Sequence, residues 1–234
     1  MRLIYVHGAC VRDGDWWWER MVTPLAAAGV RSRAVALPSC VDDVGAGLEL
    51  GDLYDDAAAV RAVLDEDDEP AVLLGHSYGG TVITDAGHDH PAVRGLVYVA
   101  SLLPDVGDSQ ASVTGSDPAP WLAPGAGGTI GVLPDVVREL FVQDCDGAVQ
   151  DAAVGRLTRQ AMTPFGQPVR GAAWREVPAT YVVCTDDRAI PAAVQRERAA
   201  HAEKIVEFEA GHHPFLARPE DFATLLLDVL PPAR

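Results

Sequence analysis

Residues 70–80 read PAVLLGHSYGG, and the order of residue types in them predicts a strand, a tight turn and a helix. Ala71 to Leu74 form a short apolar run without polar alternation, which is typical of a strand buried on both faces. The motif Gly-x-Ser-x-Gly follows at once, with Ser77 at its centre. Glycines flank the serine because so sharp a turn leaves no room for side chains beside it. This context predicts a nucleophile elbow, which raises Ser77 above the edge of a sheet.

The bare five-residue motif is also compatible with an ordinary serine in a glycine-rich turn. Two neighbouring features favour the nucleophile. The apolar strand precedes the motif, and residues 81–86 (TVITDA) can continue as a helix after it. A strand, a sharp turn and a helix in this order are the context in which the motif carries a reactive serine.

The composition predicts one large α/β domain without affinity for polyanions. The chain has 234 residues, of which 48% are apolar, so a sizeable core is available. Its formal net charge is −16. Binding to nucleic acid or to an anionic membrane surface requires clustered Lys and Arg, so we expect neither partner.

The sequence also predicts a cytoplasmic protein. The first apolar run ends at His7-Gly8, far short of a signal peptide, and no window is long enough to span a membrane. The four cysteines are widely spaced and form no C-x-x-C pair, which is typical of free thiols in a reducing compartment. Neither a monomer nor a homodimer is favoured by the sequence.

Strands and helices alternate through most of the chain. This pattern implies a parallel sheet covered by helices on both faces, with ligands bound beyond the carboxyl ends of the strands. The predicted strands are 2–6, 30–37, 71–74, 93–100, 179–184 and 204–208, and the predicted helices are 16–28, 52–64, 81–86, 192–201 and 220–230.

Residues 102–177, named the insertion below, break this alternation. They are rich in Gly, Pro, Ser and Asp up to Pro134 and then indicate helices at 135–143 and about 148–162, with no strand pattern. We interpret the insertion as a helical lid over the active site, and 1–101 with 178–234 as one core. A long disordered loop is the alternative, but the insertion contains apolar anchors that such a loop would lack. These anchors are Trp121, Leu140, Phe141, Leu157 and Phe165.

Several chemically competent residues follow the predicted strands. A serine nucleophile needs a base, and the base needs an acid that orients it. Asp186 and Asp187 follow strand 179–184, and His212 and His213 follow strand 204–208. The order serine, acid, histidine is the one expected with an elbow serine. Either member of each pair is compatible with the role, because loop-capping aspartates and surface histidines are both common.

An oxyanion needs two preorganised donors, for which backbone N–H groups are well suited. We assign one to Tyr78, the residue after the nucleophile, and the other to Ala9, in the loop after the first strand. His7 falls at the same edge of the sheet.

The chain resembles serine α/β-hydrolases of the group that contains plant methyl-ester esterases and hydroxynitrile lyases, with many bacterial members. The segments that carry this resemblance span nearly the whole chain in the expected order. They are His7-Gly8-Ala9-Cys10 followed by tryptophans, Gly75-His76-Ser77-Tyr78-Gly79-Gly80, Thr185-Asp186-Asp187 and Gly211-His212.

This resemblance implies an α/β-hydrolase fold with the insertion after the sixth strand of the standard sheet. It also implies Asp187 as the acid and His212, directly after a glycine, as the base. The lyases are similar to one another in having Thr after the first-loop histidine and Lys after the catalytic histidine. Here these positions are Gly8 and His213, which favours an esterase.

The expected activity is hydrolysis of a small, apolar or aromatic carboxylic ester through an acyl-enzyme, without a metal or an organic cofactor. Trp121, His213 and Cys10 are expected to contact the substrate. The alternatives are a lyase, a thioesterase or a biosynthetic tailoring enzyme on the same fold, or a small-molecule receptor that retains the triad.

Overall fold

A computed structural model describes residues 1–41, 50–115 and 119–231. The strands in these ranges are β1 (Arg2–Val6), β2 (Arg31–Val35), β3 (Cys40–Val41), β4 (Ala71–His76), β5 (Val93–Val99), β6 (Leu122–Gly125), β7 (Thr129–Val132), β8 (Arg159–Ala161), β9 (Ala179–Cys184) and β10 (Lys204–Phe208). The α-helices are α1 (Gly14–Ala27), α2 (Leu53–Leu64), α3 (Gly79–Ala86), α4 (Gln110–Thr114), α5 (Pro134–Val136), α6 (Gly147–Val154), α7 (Thr163–Gly166), α8 (Ala192–Arg198), α9 (Pro214–Ala217) and α10 (Pro219–Val229). A π-helical turn spans Val137–Phe141, and short 3-10 turns span Ala126–Gly128, Ala173–Arg175 and Ala199–His201.

Six strands form a parallel sheet in the order β10-β9-β5-β4-β1-β2. The chain first builds outward from β1 to β2 and then continues on the other side of β1 with β4. A crevice for ligands is therefore expected at the carboxyl ends of β1 and β4, where the direction of building reverses. The loop after β1 and the turn after β4 meet at this point.

Apolar side chains on both faces of the sheet hold the helices. Along β1, Leu3 and Tyr5 belong to one buried cluster, which includes residues of α1 and α10. Ile4 and Val6 belong to the other cluster, which includes residues of α2 and α3. Successive side chains of a strand point to opposite faces, so each helix layer packs against alternate residues. The parallel sheet covered by helices that the sequence predicts is confirmed.

The insertion contains strands, so the expectation of no strand within 102–177 is wrong. β6, β7 and β8 form an antiparallel sheet, and β3 from the earlier part of the chain joins it beside β8. The predicted helix at 148–162 ends as α6 at Val154, and the predicted helix at 135–143 is a short α-helix continued by the π-helical turn. These strands have only three or four residues, too few for an alternating pattern to be recognised, and β8 pairs with segments distant in sequence.

Between the predicted strand 30–37 and the predicted helix 52–64, the sequence indicates a glycine-containing loop over 39–51. Most of it, 42–49, lies outside the described residues. Within the described ranges, none of the helices has the length and apolar character needed to span a bilayer.

Candidate active site

Ser77 occupies a strained turn between β4 and α3. Its φ of 51° is in the left-handed region, which non-glycine residues seldom adopt. The Ser77 N–H donates to Val99 O at 3.1 Å, which fixes the turn to β5. A Cβ on Gly75 would lie 2.6 Å from Gly79 O, and a Cβ on Gly79 would lie 2.3 Å from Val6 O. The glycines are therefore required by close backbone approach.

Asp187 and His212 form a buried hydrogen-bonded pair. His212 Nδ1 lies 2.7 Å from Asp187 Oδ2, and both side chains are almost fully buried. Because a carboxylate only accepts, Nδ1 carries a proton, and in the neutral ring the lone pair is therefore on Nε2. The His212 ring is thus in the tautomer that a general base requires.

The carboxylate of Asp187 is held by three further donors. The N–H groups of Ala189 and Ile190 donate to Oδ1 at 2.8 and 2.9 Å, and Gln195 Nε2 donates to Oδ2 at 3.0 Å. Four donors around one carboxylate fix its position and orientation. Asp186, the alternative acid, has an exposed side chain. Of the two aspartates, the structure brings Asp187 into contact with His212.

His76, the residue before Ser77, connects the elbow to the His212 loop. Its Nε2 donates to His212 O at 2.9 Å, and the two rings lie 4.6 Å apart between centroids. Burial lowers the pKa of His76 well below its usual value, and the neighbouring His212 and His213 act in the same direction. A neutral His76 is therefore maintained. Within the described residues, Ser77 Oγ makes no hydrogen bond to His212.

The two backbone N–H groups that the sequence assigns as oxyanion donors are unpaired. Those of Ala9 and Tyr78 have no acceptor among the described residues. Unpaired N–H groups are uncommon in folded proteins, and their presence on the two loops next to Ser77 is compatible with an oxyanion site. A Cβ on Gly8 would lie 3.2 Å from the Cβ of Ser77, so the first loop rests against the elbow. His7 is buried behind it, and its Nδ1 donates to Gly8 O.

His213 is buried rather than exposed to an open pocket. Its Nδ1 donates to Phe141 O at 2.9 Å, and its ring lies 5.1 Å from that of Trp17. Burial lowers the pKa of His213 from 6.5 to about 3, and His212 contributes in the same direction. The side chain thus joins the core to the insertion as a neutral group.

The other two residues expected to contact substrate differ in position. Trp121 is half-buried and lies edge-to-face with Phe141 at 5.8 Å, while Phe141 lies edge-to-face with His212 at 5.0 Å. An aromatic pair therefore extends from the base into the insertion. The Cys10 side chain is fully buried, with Sγ 3.8 Å from Ile130 O. This burial favours a supporting role for Cys10 over direct contact with substrate.

Several residues at the site carry no motif and were missed in the sequence. Gln195 holds Asp187 and also donates to Ile190 O at 2.7 Å. Asp144 in the insertion accepts from Gly211 N at 2.6 Å. Single Gln and Asp residues in helices and loops give no signal of such contacts, because each contact depends on how two separate elements meet in the fold.

One group among the described residues has metal-ligating side chains close together. It consists of His88, Asp89 and Glu176 at the surface. It follows the carboxyl end of α3, whereas Ser77 precedes the amino end of that helix. The group is therefore separate from the candidate active site.

Comparison with known proteins identifies the family. Residues 3–225 match the family model described as "Alpha/beta hydrolase family". The chain is 33% identical over 238 residues to Alpha/beta hydrolase nvfD of Aspergillus novofumigatus, which covers 93% of this chain and 92% of that protein. It is 25% identical over 262 residues to polyneuridine aldehyde esterase of Rauvolfia serpentina, with 97% and 94% covered.

A solved structure is also similar to this chain in fold and sequence. The crystal structure of a pyrethroid hydrolase from Sphingobium faniae JZ-2 superposes with a TM-score of 0.84 at 27% identity, and 97% of this chain and 96% of that chain are covered. The resemblance to plant esterases and their bacterial relatives is thus confirmed. Because these relatives are esterases and hydrolases, ester hydrolysis is the general reaction they support. The chain belongs to the alpha/beta hydrolase family and is a hydrolytic enzyme.

Proposed function

We propose that this protein is a carboxylic ester hydrolase that acts through Ser77, His212 and Asp187. The observation that carries the proposal is the buried pair in which Asp187 accepts from His212 Nδ1, an arrangement that leaves Nε2 of the neutral ring as the base. His76, the residue before Ser77, donates to His212 O and so ties that loop to the elbow. A strained serine with a tethered, oriented base is the arrangement that nucleophilic catalysis requires.

In the proposed reaction, Ser77 Oγ attacks the ester carbonyl while His212 Nε2 takes its proton. The N–H groups of Ala9 and Tyr78 hold the negative carbonyl oxygen. The carbon–oxygen bond to the alcohol then breaks, and His212 returns the proton to the leaving oxygen. Water, deprotonated by His212, attacks the acyl-enzyme and restores Ser77 with release of the acid. No step of this proposal requires a metal or a cofactor.

The substrate that we propose is a small ester with an apolar or aromatic group. The aromatic pair of Trp121 and Phe141 supports this, because it borders His212 and offers ring faces and edges to a hydrophobic group. Buried or half-buried cysteine thiols without disulfides support a reducing compartment, the cytoplasm, as its location.

The test is hydrolysis of short p-nitrophenyl esters by the wild type and by Ser77→Ala. We expect kcat/KM to fall at least about a thousandfold in the variant, because the nucleophile is lost. Activity retained in Ser77→Ala would contradict the mechanism. Tight binding of ligands without turnover in the wild type would support a receptor instead. Cleavage of thioesters or cyanohydrins in preference to esters would support a thioesterase or a lyase, respectively.

The two neighbouring aspartates provide a matched test of the acid. Asp187→Asn is expected to lower kcat roughly a thousandfold or more, because an amide in that position disfavours the required tautomer of His212. Asp186→Asn removes an equal charge one residue away, on an exposed side chain, and is expected to leave kcat within about twofold. Equal effects of the two substitutions would remove Asp187 from the proposed role.

A further inference from the structure

A chain of hydrogen bonds between buried side chains lies behind the two proposed oxyanion donors. Its centre is Asp56 on α2, whose side chain is fully buried. Asp56 Oδ1 accepts from Ser39 N at 2.9 Å. Asp56 Oδ2 accepts from Ser39 Oγ at 2.6 Å and from Tyr78 Oη at 2.7 Å. The side chain of the residue that follows Ser77 is thereby tied to α2.

The same chain continues to the first loop through the insertion. Gln160 on β8 is fully buried; its Nε2 donates to Ser39 Oγ at 2.9 Å, and its Oε1 accepts from Cys10 N at 3.0 Å. We call these five residues the Asp56 chain: Asp56, Ser39, Tyr78, Gln160 and Cys10. It begins at the residue after Ala9 and ends at Tyr78.

The direction of each hydrogen bond in the Asp56 chain is fixed by its ends. Cys10 N can only donate, so Gln160 presents its oxygen there and its amino group to Ser39. Ser39 Oγ accepts that bond and donates its own proton to Asp56 Oδ2. The Tyr78 hydroxyl also donates to Asp56 Oδ2. The donors meet both oxygens of Asp56, so the site requires a side chain that accepts on both atoms, as a carboxylate does. An amide at position 56 would leave either Ser39 N or the two hydroxyl protons without an acceptor.

Cys10 is held in an unusual conformation by this chain and by the insertion. Its φ of 58° is in the left-handed region, which is unfavourable for a side chain with a Cβ. Both of its main-chain groups are bonded to the insertion, since Thr158 N donates to Cys10 O at 2.8 Å and Cys10 N donates to Gln160. The bond from Cys10 N therefore fixes the Ala9–Cys10 peptide, which directly adjoins the Gly8–Ala9 peptide that carries the Ala9 N–H.

We propose that Asp56 is a positioning residue that aligns both oxyanion donors, Ala9 through Gln160 and Cys10, and Tyr78 through its phenol. This inference rests on the proposed function, because it requires an oxyanion to be bound. Asp56 does not touch the substrate. It acts by holding two N–H groups in the geometry of the tetrahedral intermediate, where small displacements are costly to the rate.

Asp85 supplies a matched control for the loss of a buried carboxylate. It lies at the other end of α3, is buried, and accepts from Arg170 N at 2.7 Å and from Arg170 Nη2 at 2.9 Å. Asp85→Asn thus also disturbs a buried acceptor, but none of its partners adjoins Ser77, Ala9 or Tyr78. Any general consequence of losing such a carboxylate appears in both variants.

The experiment compares wild type, Asp56→Asn, Tyr78→Phe and Asp85→Asn in ester hydrolysis. We expect kcat to fall roughly tenfold to a hundredfold in Asp56→Asn and roughly threefold to tenfold in Tyr78→Phe, with KM within about twofold. The same variants are tested for binding of an aryl trifluoromethyl ketone, whose adduct with serine carries an oxyanion, and of the corresponding alcohol. Affinity for the ketone is expected to fall in parallel with kcat, and affinity for the alcohol to stay unchanged.

The outcomes separate positioning from general damage. Asp56→Asn with kcat within twofold of the wild type would overturn the inference. So would a parallel loss of melting temperature, ketone affinity and alcohol affinity that Asp85→Asn reproduces. Tyr78→Phe removes only a hydroxyl, so it tests the same idea if Asp56→Asn does not fold. Activity retained by Ser77→Ala would instead contradict the proposed function, which distinguishes the two failures.

Discussion

Ser77 and His212 lie at the same edge of the sheet, but different parts of the chain hold them in place. The conformation of Ser77 depends on main-chain contacts within the sheet. Its N–H donates to Val99 O, and the glycine after Tyr78 packs against the end of β1. None of these contacts involves the insertion.

The His212 loop depends on the insertion at several points. Asp144 accepts from Gly211 N, and Gln143 Nε2 donates to Asp186 O at 3.0 Å. His213 donates to Phe141 O. All of these insertion residues lie in or just after the π-helical turn, so one short segment contacts the residues on both sides of the proposed acid and base.

This difference indicates that contacts with the insertion help to position the candidate site. The proposed nucleophile is held by contacts within the core, whereas the proposed base and the proposed first-loop donor are positioned by contacts with the insertion. We therefore expect substitutions at the elbow to abolish activity, and single substitutions in the insertion to reduce activity only partly. The predictions below test this expectation.

Gly79→Ala is expected to have the largest effect. Its Cβ would lie 2.3 Å from Val6 O, so the elbow or β1 must move. We expect a loss of more than about a thousandfold in kcat/KM and destabilisation of roughly 1–3 kcal/mol. Ester hydrolysis and thermal unfolding measure both. The control is Gly147→Ala at the start of α6, where a Cβ meets nothing within 4 Å; an equal loss there would contradict the argument.

The sheet could be predicted because its signals are local. Residues 71–74 are a continuous apolar run and 179–184 are apolar apart from Thr180, and short runs of this kind are typical of a strand covered on both faces. Ser77 was recognisable for a related reason, since the glycines around it are required by close backbone approach. The choice of Asp187 over Asp186 came from family resemblance, and the contact with His212 agrees with it.

The insertion could not be predicted in the same way because its structure depends on distant partners. β8 has three residues, Arg159–Ala161, and pairs with Cys40–Val41, more than 100 positions earlier. Gln160 is buried there as a polar residue because Ser39 and Cys10 N satisfy its amide. A buried polar residue in a polar segment has the same local sequence pattern as a surface residue. The sequence therefore predicted neither strand β8 nor the contacts of Gln160.

The pH dependence of stability tests the contact that His213 makes between the core and the insertion. Its pKa is lowered from 6.5 to about 3 by burial, so between these values the unfolded chain binds more protons at this position than the folded one. Its contribution to stability is present above pH 6.5 and is lost as the pH falls. From pH 7 to pH 5 the loss is about 2 kcal/mol.

The matching variant is His213→Gln, which can still donate to Phe141 O but does not titrate. We expect its free energy of unfolding to fall about 2 kcal/mol less than that of the wild type between pH 7 and pH 5. Denaturant titrations at several pH values measure the difference. The other buried histidines are common to both proteins, so parallel curves would show that His213 does not remain neutral in the folded state.

Asp144→Ala is expected to reduce activity without abolishing it. The substitution removes the acceptor of Gly211 N and so loosens the residue before His212. We expect kcat to fall roughly tenfold, equivalent to about 1.4 kcal/mol, with little change in unfolding because the side chain is exposed. Asp146→Ala removes the same charge from a nearby exposed residue whose side chain caps no helix N–H. A similar loss in that control would attribute the effect to charge instead.

The smallest effect on stability and activity is expected for an ion pair between the insertion and the core at the protein surface. Arg156 Nε donates to Asp13 at 2.8 Å, and both side chains are partly exposed. Exposed ion pairs contribute about 0.2–1 kcal/mol, and salt screens them. A double-mutant cycle of Asp13→Asn and Arg156→Gln is therefore expected to give a coupling energy in that range, reduced at about 1 M salt, with kcat unchanged. A coupling well above it, or a loss of kcat, would mean that surface contacts position the site as strongly as the buried ones.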